Sequence, residues 1–286
     1  MEKRKNPHVI KQNDIGGEER RNLAQQLASA RDMDFDKLLD YIRHSDATPT
    51  CEEMEVVCDR LKSGSNLEKV YIASFLSEIP GNEECIEPLI GMLSWDDPTD
   101  RGSACIALGN IGNRRVIPHL KRMLNDEDDM TRSDALEALR YAQDTFKLSE
   151  LFKKLNDKSK FVRAVAVWIL HDKYDDDKES RKRILREIKK RLSIERAGIV
   201  RADIFHMLYC VEDGSEIYLN KLLSMTAYKH HGVRARVYGI LATIADERNY
   251  ETILGVFQKS LKSEPLSLYR KELREKIRAL KAFKNE

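Results

Sequence analysis

Hydrophobic residues recur along this chain at intervals of three and four, the spacing that lines one face of an α-helix. The pattern is clearest between Asp126 and Asp172. Val162, Ala166, Ile169 and Leu170 follow one another at helical intervals, and Ala135, Ala138 and Leu139 do the same one step earlier. A leucine, an acid and an arginine introduce each run: Leu124, Asp126 and Arg132 in one step, Leu155, Asp157 and Arg163 in the next. Arg132 and Arg163 are 31 residues apart, as are Asp126 and Asp157. A self-similar unit of this length predicts a stacked array.

The basic marker continues in both directions. Lys69 and Arg101 come before, and Arg201, Arg234 and Arg270 after, in steps of 32, 31, 31, 38, 33 and 36 residues. Shorter amphipathic stretches lie between, near 83–93, 116–124, 148–155, 180–192, 215–225 and 250–261. Each repeat therefore reads as a helical hairpin. Its first helix ends in an acidic turn, and its second begins near the basic residue. The acid sits where a helix N-terminus favours negative charge. The arginine is expected to pair with the acid of a neighbouring turn, because an array needs a nearest-neighbour interface in every unit. On this reading Asp126, Arg132, Asp157, Arg163 and Arg201 are structural markers. No acid is expected to serve Arg234 or Arg270 in the same way.

Two phrases carry a family resemblance: Asp157…Val162-Arg163-Ala164…Ala166…Leu170, and Ala104-Cys105-Ile106-Ala107-Leu108-Gly109-Asn110-Ile111-Gly112. They resemble HEAT repeats of the short variety also found in phycobilisome-lyase-like proteins. The resemblance covers about residues 69–283. It implies an all-α fold, an α-solenoid superhelix of about six to seven HEAT-like hairpins, with second helices lining a concave groove. It implies no single activity, since one scaffold carries many unrelated sites. The expected organisation is a flexible arm over 1–20, degenerate capping helices over 21–66, and the array with a C-terminal capping helix over 67–286.

Composition narrows the chemistry. Charged residues make up 34% of the chain, yet the net charge is only +2. Residues 51–100 hold twelve acids and three bases, near −9, and residues 178–201 hold ten bases and three acids, near +7. Such segments are ordinarily solvated helix faces, but they also suit a polar surface with ends of opposite preference. Five cysteines without a CxxC pair point to reduced thiols and a cytoplasmic location. Neither a secretory leader nor a stretch of membrane-spanning length is read in the sequence.

No recognised catalytic motif occurs: HExxH, a nucleotide-binding glycine loop and GxSxG are all missing. None of the seven histidines precedes a glutamate. HEAT-type deoxyhypusine hydroxylases, which share this scaffold, bind iron through His-Glu pairs, so that activity is not expected. Neither a metal nor a cofactor is expected.

The groove surface is expected five residues after each marker. That row reads Ser74, Ile106, Glu137, Trp168, His206, Gly239 and Glu275. Eight or nine residues on come Arg140, Tyr141, His171, Asp172 and Tyr209, and Arg236 lies close by in register. Aromatic and arginine side chains are what protein-binding hot spots favour. The competing reading of Trp168 and Tyr209 is core at helical spacing.

The expected function is a non-catalytic scaffold or adaptor that holds another protein in the groove. Toxin-neutralising immunity proteins are one class of this kind by family analogy. The alternative is a HEAT-like alkylpurine DNA glycosylase, in which Asp172 would stabilise a cationic sugar and Arg140 or Arg236 would hold phosphates. Against nucleic acid stands the near-neutral chain, where a duplex binder shows a basic stripe. A lyase-type chaperone for a tetrapyrrole is the third reading.

Overall fold

A computed structural model of the chain describes residues 57, 59–63, 69, 72–73, 83–141, 146–175 and 177–283. The expected arm over 1–20, and the capping segment over 21–66 apart from 57 and 59–63, lie outside the described residues. The chain is all-α, and no strand occurs among the described residues. It divides into two compact units, Met1–Asp144 and Thr145–Glu286.

In the first unit, α1 (Ile86–Met92) and α2 (Pro98–Ile111) make one hairpin, and α3 (Ile117–Met123) and α4 (Asp129–Tyr141) the next. The sequence places the helix ends. Asp97 caps α2 by accepting from the Thr99 backbone N–H, with Pro98 at the first helical position, where its missing N–H costs nothing. Gly112 ends α2 in the left-handed conformation, φ 72°. The second helices α2 and α4 pack side by side, and Gly109 permits their close approach. A Cβ there would come within 2.5 Å of the Ala138 Cα. Ala104, Cys105, Leu108, Ala135, Leu136 and Leu139 form the buried seam.

In the second unit the hairpins are α5 (Leu148–Lys154) with α6 (Lys160–Asp172), α7 (Lys178–Ile194) with α8 (Gly198–Val211), α9 (Glu216–Met225) with α10 (His231–Thr243), and α11 (Tyr250–Ser263) with α12 (Ser267–Phe283). The 38-residue step is taken up by a 3-10 turn, Lys173–Asp175, and by the 17-residue α7. Asp177, the last of the three consecutive acids, caps α7 by accepting from the backbone N–H groups of Glu179 and Ser180.

Every arginine marker is the fourth residue of its second helix: Arg101 in α2, Arg132 in α4, Arg163 in α6, Arg201 in α8, Arg234 in α10 and Arg270 in α12. Helical side chains lean toward their own N-terminus, so each guanidinium folds back over the turn it has just left. Its Nη1 donates to carbonyls five and six residues earlier. Arg101 reaches Trp95 and Asp96 at 2.8 Å, and Arg132 reaches Asp126 and Glu127 at 2.9 and 3.0 Å. Arg163, Arg234 and Arg270 repeat the contact with both carbonyls, and Arg201 makes it with Glu195 alone.

The rest of the fork reaches forward into the next repeat. Arg101 holds the Asp126 carboxylate, Arg163 that of Glu195 and Arg234 that of Glu264, each through Nε and Nη2 at 2.7–3.0 Å. The acid stands six residues before the next marker in every case. Glu264 corrects the expectation that Arg270 lacks a preceding acid: it lies six residues before Arg270, the same offset as Asp126 from Arg132. Before Arg234 that place belongs to Tyr228, as expected of a turn without an acid. Before Arg101 it belongs to Trp95, whose ring lies 5.9 Å below the Lys69 ammonium, so a cation–π contact stands where a clamp would.

Among the described cysteines, Cys85 departs from the expectation of reduced thiols. Cys85 is disulfide-bonded, whereas Cys105 and Cys210 are free.

Candidate functional site

Side chains from α6, α8 and α10 converge in the second unit. The Arg236 guanidinium of α10 lies 4.0 Å from the ring centroid of Trp168 on α6. Between them, α8 contributes Asp203, whose Oδ1 accepts a hydrogen bond from Arg236 Nε at 2.7 Å and forms an ion pair with Nη2 at the same distance. One arginine thus spans three successive second helices. A cation held over an indole and fixed by a carboxylate has little rotamer freedom left to lose.

Asp203 is 1% exposed. Burial pushes its carboxyl up to about 6, and Arg236 and the Trp168 indole act against that rise. The indole Nε1 and Asp203 Oδ2 do not reach full hydrogen-bond geometry, so both stay buried without a formal partner. The interaction between them is therefore a weak one. Arg236 keeps 29% of its side chain exposed.

His206, one turn beyond Asp203, meets the His171 ring edge-on at 5.6 Å. Burial, then the neighbouring His171 and Arg236, lower its pKa to about 4. The ring is neutral near pH 7. It therefore offers one donor and one acceptor beside the cationic Arg236.

The sequence-predicted residues separate into three groups. Trp168, His171, His206 and Arg236 come together as described. Asp172 is exposed at the last position of α6. Glu137, Arg140 and Tyr141 belong to the first unit and form their own group on α4. There the Tyr141 hydroxyl donates to Glu137 at 2.9 Å, and the Arg140 guanidinium lies 5.9 Å from the Tyr141 ring.

Tyr209 requires a correction. It is 6% exposed and sits in the core with Phe205, Leu222 and Ile253. Its hydroxyl accepts from Asn249 Nδ2 at 2.8 Å. Eight residues after the marker, in an apolar helix, the ring turns inward, and its one polar atom is met by a buried amide. It is not a surface anchor.

Sequence reasoning missed Asp203 and Asn249. A signal for Asp203 was present: it is the only charged residue in the run Ala202 to Val211. A lone acid in an apolar helix needs a cationic partner if buried. Asn249 carried no comparable signal. Among the described residues no group of three or more His, Cys, Asp or Glu could hold a metal ion. No helix among them is long and apolar enough to cross a membrane.

Residues 54–140 match the family of HEAT repeats. Among curated proteins, none matches the sequence. Among solved structures, the chain is similar to the complex of CpcE and CpcF of phycocyanin lyase from Nostoc sp. PCC7120, with 16% identity over 83% of this chain and 97% of that one, at a TM-score of 0.52. It is also similar to human deoxyhypusine hydroxylase in complex with glycerol, with 17% identity over 95% and 100% of the two chains and a TM-score of 0.40. A designed armadillo repeat protein in complex with the peptide (KR)4 gives 15% identity over 80% and 94% and a TM-score of 0.36. At such identities the likeness speaks of fold alone.

Proposed function

We propose that this chain, an α-solenoid of HEAT-like repeats, is a non-catalytic scaffold that binds another protein through the second-helix face of its second unit. The observation that carries the reading is the Arg236–Trp168 stack fixed by Asp203. Arginine and tryptophan dominate hot spots, and an anchor held in place before binding loses less entropy on binding. Neutral His206 adds one donor and one acceptor beside it.

The glycosylase alternative assigns Arg236 to phosphate and Asp172 to a cationic sugar. Asp203 already offsets the Arg236 charge, which leaves less of it for a phosphate. The tetrapyrrole reading has the phycocyanin lyase complex behind it as a fold likeness only.

The test is affinity capture from the native host with wild-type chain and with Trp168→Ala, each verified by circular dichroism. A protein retained by wild type and lost by the variant supports the scaffold. Co-purifying nucleic acid, with methylated purine released from alkylated DNA, overturns it in favour of the glycosylase.

A further inference from the structure

The repeats allow one carboxylate to be compared with its own counterpart. Asp203 stands two residues after the marker Arg201, and it is answered by Arg236, two residues after the marker Arg234. Asp134 stands two residues after the marker Arg132. In sequence register, the residue answering it is Val165, two after Arg163, which carries no charge. By register alone, then, the +2 carboxylate of Asp203 has an arginine at the +2 position of the following repeat, and that of Asp134 has a valine.

The surroundings of Asp134 fit a missing cation. It lines a pocket of about 380 Å³ with Pro98, Gly102, Ser103, Ile106 and Met130. Gly102 leaves space for the carboxylate: a Cβ there would clash with Asp134 Oδ2. No hydrogen bond or ion pair to Asp134 is found among the described residues. Burial, then the negative charges of Glu137 and Asp128, push its carboxyl up to about 6. Among the described residues, Glu137 accepts from the Tyr141 hydroxyl, a neutral donor. Met130, 46% exposed at the lip, with Ile106 and Pro98, gives an apolar wall. A long aliphatic stem ending in a cation matches both parts: the stem lies on the wall and the head meets the acid.

We infer that the first unit is a receptor for an arginine side chain of a partner polypeptide, with Asp134 as the carboxylate that accepts the guanidinium. The partner supplies to this repeat what Arg236 supplies within the other. The inference rests on the protein-binding reading but names a different face and the chemistry of the residue recognised there.

The experiment titrates the full chain with an acetylated, amidated tri-arginine peptide and with the tri-citrulline peptide, which keeps the shape and lacks the charge. Calorimetry gives the affinity, and amide NMR locates the site. The expected result is binding of tri-arginine, at least tenfold weaker binding of tri-citrulline, and at least a tenfold loss with Asp134→Asn. That variant should melt no lower than wild type, because it removes an unpaired charge. Met130→Ala, a milder change at the lip, should weaken tri-arginine binding severalfold. Equal affinity for the two peptides, no binding of either, or wild-type affinity in Asp134→Asn overturns the inference. Since no step depends on Trp168, these outcomes are separable from the affinity capture.

Discussion

Arg163 grips Glu195 with two parallel hydrogen bonds, Nε to Oε2 at 2.8 Å and Nη2 to Oε1 at 3.0 Å, across 32 residues of sequence. With Nη1 on the carbonyls of Asp157 and Lys158, one side chain ties its own turn to the turn of the next repeat. Glu195 is fully engaged, since Arg191 and the Ala197 backbone N–H donate to it as well. Removing one partner of a buried, hydrogen-bonded pair leaves the other charge uncompensated. Arg163→Ala should therefore cost about 3 kcal/mol, read as a lower urea midpoint. Unchanged stability would reverse the structural assignment.

The same carboxylate predicts an acid limb. Burial alone would raise the Glu195 pKa, but the bonds from Arg163, Ala197 and Arg191 outweigh it and hold the group at about 2, below the ordinary 4.5. A depressed folded value means its stabilisation is complete above pH 4.5 and is lost as pH falls toward 2. Glu195→Gln should flatten this part of the stability–pH curve. A variant curve as steep as that of wild type would show that other groups govern it.

Arg201 holds no forward carboxylate among the described residues, because Tyr228 occupies the acid's place before Arg234. Tyr228→Glu restores the register. The turn is exposed, so the gain should be small, about 0.5 kcal/mol at low salt and less at high salt. A melting temperature below that of wild type would mean that the contact of Tyr228 with the start of α8 matters more than the clamp.

Trp168 and Tyr209 should behave differently although both are expected in the groove from the sequence. Trp168→Ala should weaken partner binding by roughly tenfold, about 1.4 kcal/mol, with the fold retained. Tyr209→Phe removes the acceptor of the Asn249 amide and should cost about 1 kcal/mol of stability with binding untouched. Calorimetry and chemical denaturation on both variants separate the two roles. Lost binding in Tyr209→Phe at unchanged stability would return Tyr209 to the surface.

His206 should titrate near 4, measured by NMR of its ring carbons, against an ordinary 6.5. Its burial is the main cause, with His171 and Arg236 adding repulsion. Because the unfolded chain takes up this proton first, the residue lowers stability as pH drops through 6.5 toward 4. A midpoint at 6.5 would place the ring in open solvent.

Much of the fold is legible in the residues. The recurrence of Arg132 and Arg163 sets the repeat, and the apolar spacing after each sets the helices. Glu264 was legible too, six residues before Arg270, but a register tuned to the Leu-Asn-Asp turns passed over it. The site was legible only in part. Trp168 and His206 follow from the five-residue offset. Asp203 hid in an apolar helix, and Tyr209 was assigned to the wrong face because eight and nine positions on lie at the helix boundary between groove and core.

The sequence by itself determined what is local and periodic: helix ends, the basic marker at the fourth position, the acid six residues before the next marker, and the lack of any recognised catalytic motif. These depend on i to i+4 geometry and on repetition, which a linear string records. Only the tertiary structure decided that Arg236 crosses α8 to lie on Trp168, that Asp203 fixes it there, that Tyr209 turns inward to Asn249, and that Asp134 meets no cation among the described residues. Each of those depends on how closely successive second helices approach and at what rotation. Those quantities are set by the summed contacts of whole faces, not by any residue and its neighbours in the chain.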